Sequence, residues 1–198
     1  MSSKLFSSLQ IKSITLKNRI VISPMCQYSA QDGFATDWHL VHLGSRATGG
    51  AALLIQEATA VSPEGRISPE DLGLWKDEHI EKLQAINNFI SSQGAIPGIQ
   101  LAHAGRKASV SSPWNGNKKL DESQGGWNTV APSAVGYHDD EKPPISLDLS
   151  GIQKVFVDFK SATDDNTLVI LNLSFYLFFG GHKVFMIHKS CFLQLPPK

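Results

Sequence analysis

The chain has 198 residues, of which 41% are hydrophobic, and its 18 basic and 18 acidic side chains give a formal net charge of zero. The apolar share supports a buried core, which excludes an intrinsically disordered chain, and the neutral balance argues against nucleic-acid binding. Two cysteines are too few for a disulfide framework and indicate a reducing compartment.

The sequence predicts neither a signal peptide nor a membrane segment. The first residues lack an apolar signal region. The longest apolar run, residues 168–179, is shorter than the roughly 18 residues that a membrane span requires. We therefore expect a cytoplasmic protein.

A hairpin and three strand-then-helix units are predicted in chain order. Residues 9–17 alternate apolar and polar side chains around a turn at Lys12 and Ser13, which is typical of a hairpin that closes the bottom of a barrel. Strands that alternate with helices pair in parallel through right-handed crossovers, so the fold class is α/β. The predicted strands are residues 19–23, 52–58 and 96–102, and the predicted helices are residues 38–47, residues 77–93 and a third beginning at residue 150.

Apolar residues at helical spacing predict which face each helix buries. For the first helix these are Trp38, Val41 and then Leu43 or Ser45. For the second helix they are Ile80, Leu83, Ile86 or Asn87, and Ile90. For the third helix they are Ile152, Val155, Phe156 and Phe159.

The helix ends carry their own signals. Asp77 is the predicted N-cap of the second helix, and Gly94 stands where a left-handed residue would end it. Ser150 and Gln153 have the spacing of a capping box for the third helix. Between the third strand and that helix, residues 105–147 are rich in Gly, Pro and Ser. They fit either a lid or binding loop or a disordered insertion.

Chemically useful side chains follow the three predicted strands. In barrels of this class the chemistry lies where the strands end. Nucleotide-binding glycine motifs are absent, and the set suits a planar heterocycle, since Gln100 can donate and accept hydrogen bonds at once. The strand ends carry Ser23, Pro24, Met25 and Cys26, with Tyr28 close behind; Glu57, Ala58 and Thr59; and Gln100 to His103.

Each of these residues also has a purely structural explanation. Cys26 can act as a small buried hydrophobe. Gln100 can satisfy a backbone group of the barrel, and Tyr28 can simply pack. No carboxylate completes a ligand set with the nearby histidines, so no metal site is predicted. These histidines are His39, His42 and His103.

Three segments resemble the N-terminal half of the Old Yellow Enzyme family, in its branch of thermophilic-like ene-reductases. They are KSITLKNRIVISPMCQYSA, WHLVHLGSRATGGAALLIQEATAVSPEGRISPEDLGLW and GIQLAHAGRKAS. The resemblance implies an incomplete TIM (β/α)8 barrel of about three to four βα units, preceded by the hairpin. It also implies FMN as cofactor and NAD(P)H as reductant. Hydride would pass through the flavin to an α,β-unsaturated carbonyl substrate, and an oligomer is compatible with the resemblance.

The resemblance also implies roles for particular residues. The backbone of Ser23, Pro24, Met25 and Cys26 would line the flavin, with the Cys26 thiol tuning its potential. Ala58 would contact the isoalloxazine and Gln100 would hydrogen-bond its pyrimidine edge. Tyr28 would lie over the ring and bind or protonate the substrate.

The resemblance covers residues 4–163 and weakens beyond them. We expect residues 1–163 to be the N-terminal half of the barrel and residues 164–198 to be a divergent tail with a degenerate fourth strand. There His188 stands at the first of two family histidines that bind substrate, while Cys191 stands at the second. Chance similarity explains this strand equally well.

Two functions therefore stay open. The first is an FMN-dependent oxidoreductase whose activity this chain lacks by itself, because strands five to eight and the phosphate contacts are missing. The second is a non-catalytic fragment, or the product of an incorrectly assembled gene. A half-barrel would leave an open sheet edge in either case.

Overall fold

The computed structural model describes residues 3–164, and the predicted hairpin lies at their start. Strands β1 (Leu9–Ile11) and β2 (Ile14–Leu16) pair antiparallel. Lys12 makes the turn with a φ of 50°, in the left-handed region. Leu16 is fully buried against the first residue of the central strand and the residue before it. The hairpin therefore covers the amino-terminal edge of the sheet.

Three parallel strands form that sheet. Strands β3 (Val21–Ile22), β4 (Leu53–Ala60) and β5 (Ile96–Ala102) lie in the order β3-β4-β5. The prediction of parallel strands is confirmed, and β5 has the predicted bounds. β3 is shorter than predicted because only its two residues pair with β4. β4 is buried or half-buried at every position, as is typical of a parallel strand covered on both faces.

The pairing of β4 with β5 shifts by one residue in the middle of the strands. Gln56 lies opposite Ile99, whereas Ala58 lies opposite Gln100, so that Glu57 has no partner in β5. Such a β-bulge lets one strand carry an extra residue and re-aims the side chains beside it.

Three helices pack around this sheet. They are α1 (Asp37–Thr48), α2 (Ile80–Ser92) and α3 (Leu149–Asp164). Their apolar side chains join those of β4 and β5 in one core, which fixes the strands against the helices. Its members include Leu43, Ala47, Leu54, Leu83, Ile86, Ile90, Ile99, Leu101, Phe159 and Ala162.

The buried face of α1 differs from the predicted one. Trp38 is 52% exposed and Val41 is 60% exposed, so their predicted burial is wrong. Of the two alternatives for the third position, Leu43 is buried as predicted and Ser45 is exposed, while His39 is buried in place of the apolar residues beside it. The reason is that polar partners hold the His39 ring inside the molecule, which turns the helix away from its apolar pattern.

The predicted stripe of α2 is confirmed, and both candidates for its third position, Ile86 and Asn87, are buried. Asp77 is not its cap, because it lies in a 3₁₀ turn (Asp77–His79) that continues into the helix. Gly94 ends the helix as predicted, with a φ of 67°.

The C-terminal end of α2 forms a Schellman motif. The Gly94 N–H donates to the Ser91 carbonyl at 2.9 Å, and the Ala95 N–H donates to the Ile90 carbonyl at 3.3 Å. These two bonds satisfy carbonyls that the helix itself leaves unpaired, and they require a left-handed residue between them.

The start of α3 is capped by Asp148 and not by Ser150. The Gly151 N–H donates to Asp148 Oδ1 at 2.8 Å, and the Ser150 hydroxyl donates to the same oxygen at 2.7 Å. The predicted capping box is therefore wrong, because a carboxylate two positions upstream accepts the bonds that the helix start offers.

Two of the four residues in the predicted stripe of α3 face the core. Phe159 is buried and Val155 packs against the core, whereas Ile152 and Phe156 are exposed. Within residues 3–164, α3 therefore leaves four apolar side chains uncovered, since Leu149 and Val157 are exposed as well.

Residues 105–147 form an ordered loop. They contain a short parallel pair, β6 (Val130–Ala131) and β7 (Ile145–Ser146). The loop is also tied to the segment after β4, since the Trp127 indole N–H donates to the Glu64 carbonyl at 3.0 Å. The alternative of a disordered insertion is therefore wrong.

Replacement of Gly94 tests the end of α2. We expect Gly94→Ala to destabilise the protein by about 1 kcal/mol, because an L side chain at this φ is strained. For a domain of this size that corresponds to a fall in melting temperature of roughly 2–4 °C. Gln93→Ala, which alters a half-buried side chain next to it and leaves the left-handed glycine in place, is the control. Equal melting temperatures for Gly94→Ala and the control would contradict this account.

Candidate functional site

The carboxyl ends of the parallel strands meet at one edge of the sheet. After β3 the chain continues through Ser23 and Met25, which are exposed, and through Pro24 and Cys26, which are half-buried. This segment offers backbone groups to the space above the sheet. A binding site at this edge is typical of parallel α/β folds.

Three of the predicted site residues lie side by side. Ala58 pairs directly with Gln100 in the β4–β5 ladder. A backbone hydrogen bond from Ala58 reaches the Cys26 sulfur, which brings the segment after β3 beside the end of β4. The structure thus brings Cys26, Ala58 and Gln100 together across the three strands.

The Gln100 side chain is available to a ligand. It is half-buried, and its amide makes no hydrogen bond with any other residue of 3–164. Its neighbour Ala58 is also half-buried and contributes only a methyl group. The pair therefore presents a flat surface with one donor and one acceptor at its edge.

The Cys26 thiol is neutral at physiological pH. Burial, followed by the negative charges of Asp71 and Glu57, raises the pKa of this thiol to about 12, although the Ala58 hydrogen bond opposes the rise. A thiol that stays protonated is a poor nucleophile. Cys26 can therefore contact a ligand without attacking it.

Tyr28 follows Cys26 in an unusual backbone conformation. Its φ is 47°, in the left-handed region, where an aromatic residue is uncommon. Its ring packs edge-to-face on Trp114, with the centroids 5.5 Å apart. Burial, and then the nearby Cys26 sulfur, raise the pKa of the phenol, which keeps its proton available for donation.

A buried polar network lies beneath this segment, and the sequence analysis gave its members no role. Glu57 Oε2 accepts the Gln27 N–H at 2.8 Å, and Glu57 Oε1 lies 3.6 Å from His39 Nε2. His39 Nδ1 accepts the Thr36 N–H at 3.0 Å. A signal was present in the sequence, since Glu57 is the one charged residue of the predicted strand 52–58.

Asp71 is a second buried carboxyl near Cys26, and it is only 2% exposed. Its Oδ2 accepts the Ile67 N–H at 2.6 Å. Burial is the main cause that raises the pKa of this carboxyl to about 7. The Glu57 charge acts in the same direction, and hydrogen bonds from the Ile67 and Ser68 backbone oppose the rise.

Other candidate features lie elsewhere or outside the described residues. Within residues 3–164, no group of three or more His, Cys, Asp or Glu side chains could hold a metal ion. No helix in that range has both the length and the apolar character needed to cross a membrane. His188, the predicted fourth strand and the tail of residues 164–198 lie outside the described residues, apart from the last residue of α3.

Comparison with known proteins identifies the class. The NADH:flavin oxidoreductase / NADH oxidase family matches residues 4–166. An NADPH dehydrogenase from Listeria welshimeri is 48% identical over 162 residues, covering 81% of this chain and 44% of that protein. An NADH:flavin oxidoreductase from Gibberella zeae is 47% identical over 165 residues, covering 81% of this chain and 40% of that protein.

A solved structure extends the comparison to the fold. The crystal structure of Old Yellow Enzyme from Pichia sp. AKU4542 superposes with a TM-score of 0.68 and 25% identity. The match covers 80% of this chain and 41% of that one. The chain therefore belongs to the NADH:flavin oxidoreductase family, whose cofactor is FMN and whose reductant is NAD(P)H. It spans about two fifths of the length of the relatives it matches.

The ionisation of Asp71 should make the free energy of unfolding depend on pH. Because the folded-state pKa is about 7 against an ordinary 3.8, the unfolded chain releases this proton first as pH rises. The contribution of Asp71 to the free energy of unfolding is therefore full below about pH 4. It is lost as the pH rises toward 7, at up to about 1.4 kcal/mol per pH unit. Asp71→Asn removes the ionisation and keeps an oxygen for the Ile67 N–H.

We expect the stability of Asp71→Asn relative to the unsubstituted protein to rise between about pH 4 and pH 7, as measured by urea unfolding. Asp32→Asn is the matched control, because a hydrogen bond from Lys76 lowers the pKa of Asp32. Its relative stability should change little over the same range. Parallel curves for the two Asn variants would contradict the account of Asp71.

Proposed function

We propose that residues 1–163 form the N-terminal half of a TIM barrel that binds the flavin ring of FMN. In this proposal the complete barrel transfers hydride from NAD(P)H to the double bond of an α,β-unsaturated carbonyl. The observation that carries the proposal is the row of Cys26, Ala58 and the free Gln100 amide across three strand ends. Family membership supports it independently.

The residues at this edge fit the flavin ring. The pyrimidine edge of an isoalloxazine needs a partner that donates and accepts, and the Gln100 amide is unpaired within residues 3–164. The Ala58 methyl leaves room for a flat ring beside Gln100. Backbone groups of Ser23 to Cys26 would face its central part. When bound, FMN supplies the capacity to accept and release a hydride.

Tyr28 is the proposed proton or hydrogen-bond donor to the substrate. A carbonyl substrate gains negative charge on its oxygen and α-carbon as hydride reaches the β-carbon. A neutral phenol can stabilise that charge or supply the proton. The raised pKa of Tyr28 keeps the phenol in the protonated state that this role requires.

The incomplete barrel limits what the isolated polypeptide can do. Residues 3–164 contribute three parallel strands to the sheet, whereas the closed barrel has eight. In such barrels the phosphate site follows strands seven and eight. We therefore propose that the 1–198 polypeptide contacts the ring but not the phosphate of FMN and has no turnover alone.

A comparison of FMN with riboflavin tests whether the 1–198 polypeptide contacts the flavin ring but not the phosphate. We expect the 1–198 polypeptide to bind FMN and riboflavin with similar, weak affinity, because the phosphate finds no partner. Isothermal titration would measure both. An FMN dissociation constant below about 1 µM, which corresponds to more than about 8 kcal/mol, would contradict the proposal.

Gln100→Ala should weaken that binding about tenfold or more, because unpaired groups at the ring edge cost about 1–3 kcal/mol. Gln93→Ala, which removes a half-buried amide just before β5, serves as the control. Equal affinities for the two variants would remove Gln100 from the site.

A chimera tests the catalytic role of Tyr28. Residues 1–163 would be joined to the second half of the Listeria welshimeri relative, which completes the barrel. Tyr28→Phe should leave flavin reduction by NADPH unchanged and slow the reaction with an enone, by roughly 10²–10⁴-fold at most. Tyr137→Phe, in the 105–147 loop, is the matched control.

Stopped-flow absorbance would follow the two half-reactions separately. Equal slowing of both, or of neither, would contradict the assignment of Tyr28 to the substrate. A chimera that purifies without yellow colour, while the intact relative is yellow, would favour the alternative of a non-catalytic fragment.

A further inference from the structure

We infer that Thr36, His39 and Glu57 act together as positioning residues that hold Tyr28 in its left-handed backbone conformation. We call these three residues the Tyr28 clamp. The inference deepens the proposed function and rests on it for the role of Tyr28 as a donor to the substrate. The contacts themselves stand on the geometry of the described residues.

Within the Tyr28 clamp, Glu57 forms a hydrogen bond with the residue before Tyr28. The Gln27 N–H donates to Glu57 Oε2 at 2.8 Å, and Glu57 is 5% exposed. Glu57 is also the residue that the β-bulge leaves without a partner in β5. A buried carboxylate that accepts a backbone N–H forms a strong hydrogen bond, so the position of Gln27 is well defined.

Within the Tyr28 clamp, Thr36 forms a hydrogen bond with the residue after Tyr28. The Thr36 hydroxyl donates to the Ser29 carbonyl at 3.0 Å. One backbone group of each residue beside Tyr28, the Gln27 N–H and the Ser29 carbonyl, is thus held by a buried or half-buried side chain, one from β4 and one from the residue before α1.

His39 lies between the other two residues of the clamp. Its Nδ1 accepts the Thr36 N–H at 3.0 Å, so the proton of the neutral ring lies on Nε2. Nε2 faces Glu57 Oε1 at 3.6 Å, which is beyond hydrogen-bond distance, and the ring is 1% exposed. The histidine is therefore hydrogen-bonded to Thr36 and packs with its other nitrogen toward the carboxylate under Gln27.

The backbone of Tyr28 needs such support. A φ of 47° is unfavourable for an aromatic residue, and residues held in such regions persist where their surroundings determine them. Without the two flanking contacts the segment would relax, and the phenol would leave its place beside Trp114 and Cys26. The clamp thereby fixes where the proposed donor points.

The test compares Thr36→Val with Thr36→Ser in the full 1–198 chain labelled with 3-fluorotyrosine. Valine keeps the shape of threonine and loses the hydroxyl, whereas serine keeps the hydroxyl. The ¹⁹F resonance of Tyr28 is assigned with Tyr28→Phe. We expect Thr36→Val to move or split this resonance, Thr36→Ser to restore it, and the Tyr137 resonance to stay in place.

A second measurement uses the reactivity of Cys26 in a Cys191→Ser background. We expect Thr36→Val to speed alkylation of Cys26 about fivefold, which is the opening expected for the loss of one hydrogen bond. Ile90→Val is the matched control, because it loosens the core of α2 without touching the clamp. It should lower the melting temperature and leave both the Tyr28 resonance and the alkylation rate unchanged.

Glu57→Gln supports the same test if Thr36→Val does not fold. It keeps an oxygen for Gln27 but places an amide against His39, so we expect the Tyr28 resonance to move again. An unmoved Tyr28 resonance in a folded variant, or an equal effect of Ile90→Val, would overturn the inference. All of these measurements use the protein without FMN, so a failure of flavin binding would count against the proposed function and leave the clamp standing.

Discussion

Strand β4 is the constraint on which the described structure depends, because it is the strand of this sheet with a partner on each side. A strand in that position must be covered on both faces, which is why it carries apolar residues along most of its length. The hairpin covers its start and the helices cover its outer face. The carboxyl end of β4 lies at the edge of the sheet that holds the candidate site, and the segments after β3 and β5 meet there.

Burial of polar groups near that end defines the character of the site. Glu57, Asp71 and Cys26 lie close enough for the carboxylates to raise the pKa of the thiol. The same surroundings keep both the thiol and the phenol of Tyr28 protonated. A site of this kind offers neutral hydrogen-bond donors to a ligand, while its fixed charges stay below the surface.

The sequence predicted the strands and the α2 helix well because their signals are local. Strand β5 is a short apolar run, and Gly94 marks the helix end before it. The face of α1 could not be predicted, since the burial of His39 depends on Glu57, a residue of another element. The cap at Asp148 was missed because two residues two positions apart, Asp148 and Ser150, could both accept the helix N–H groups.

The residues of the candidate site also divide into those with a local sequence signal and those that depend on contacts between elements. Gln100 and Ala58 could be proposed from their places at strand ends, and the structure brings them together. The contacts that hold Tyr28 could not be proposed, because they join residues from three separate segments and a residue that the sheet pairing skips. Such pairing depends on the neighbouring strand and leaves no trace in the local pattern of β4.

The β-bulge decides which side chain neighbours Gln100. With unbroken pairing after Gln56 and Ile99, Glu57 would stand opposite Gln100 and Ala58 would point toward the helices. The single extra residue reverses the alternation, so a methyl group takes the inner position and the carboxylate moves beneath the neighbouring loop. Removing one residue from β4 would thus exchange a neutral side chain for a negative one beside Gln100. A skipped pair in the backbone ladder here sets the sign of the charge at this edge of the sheet.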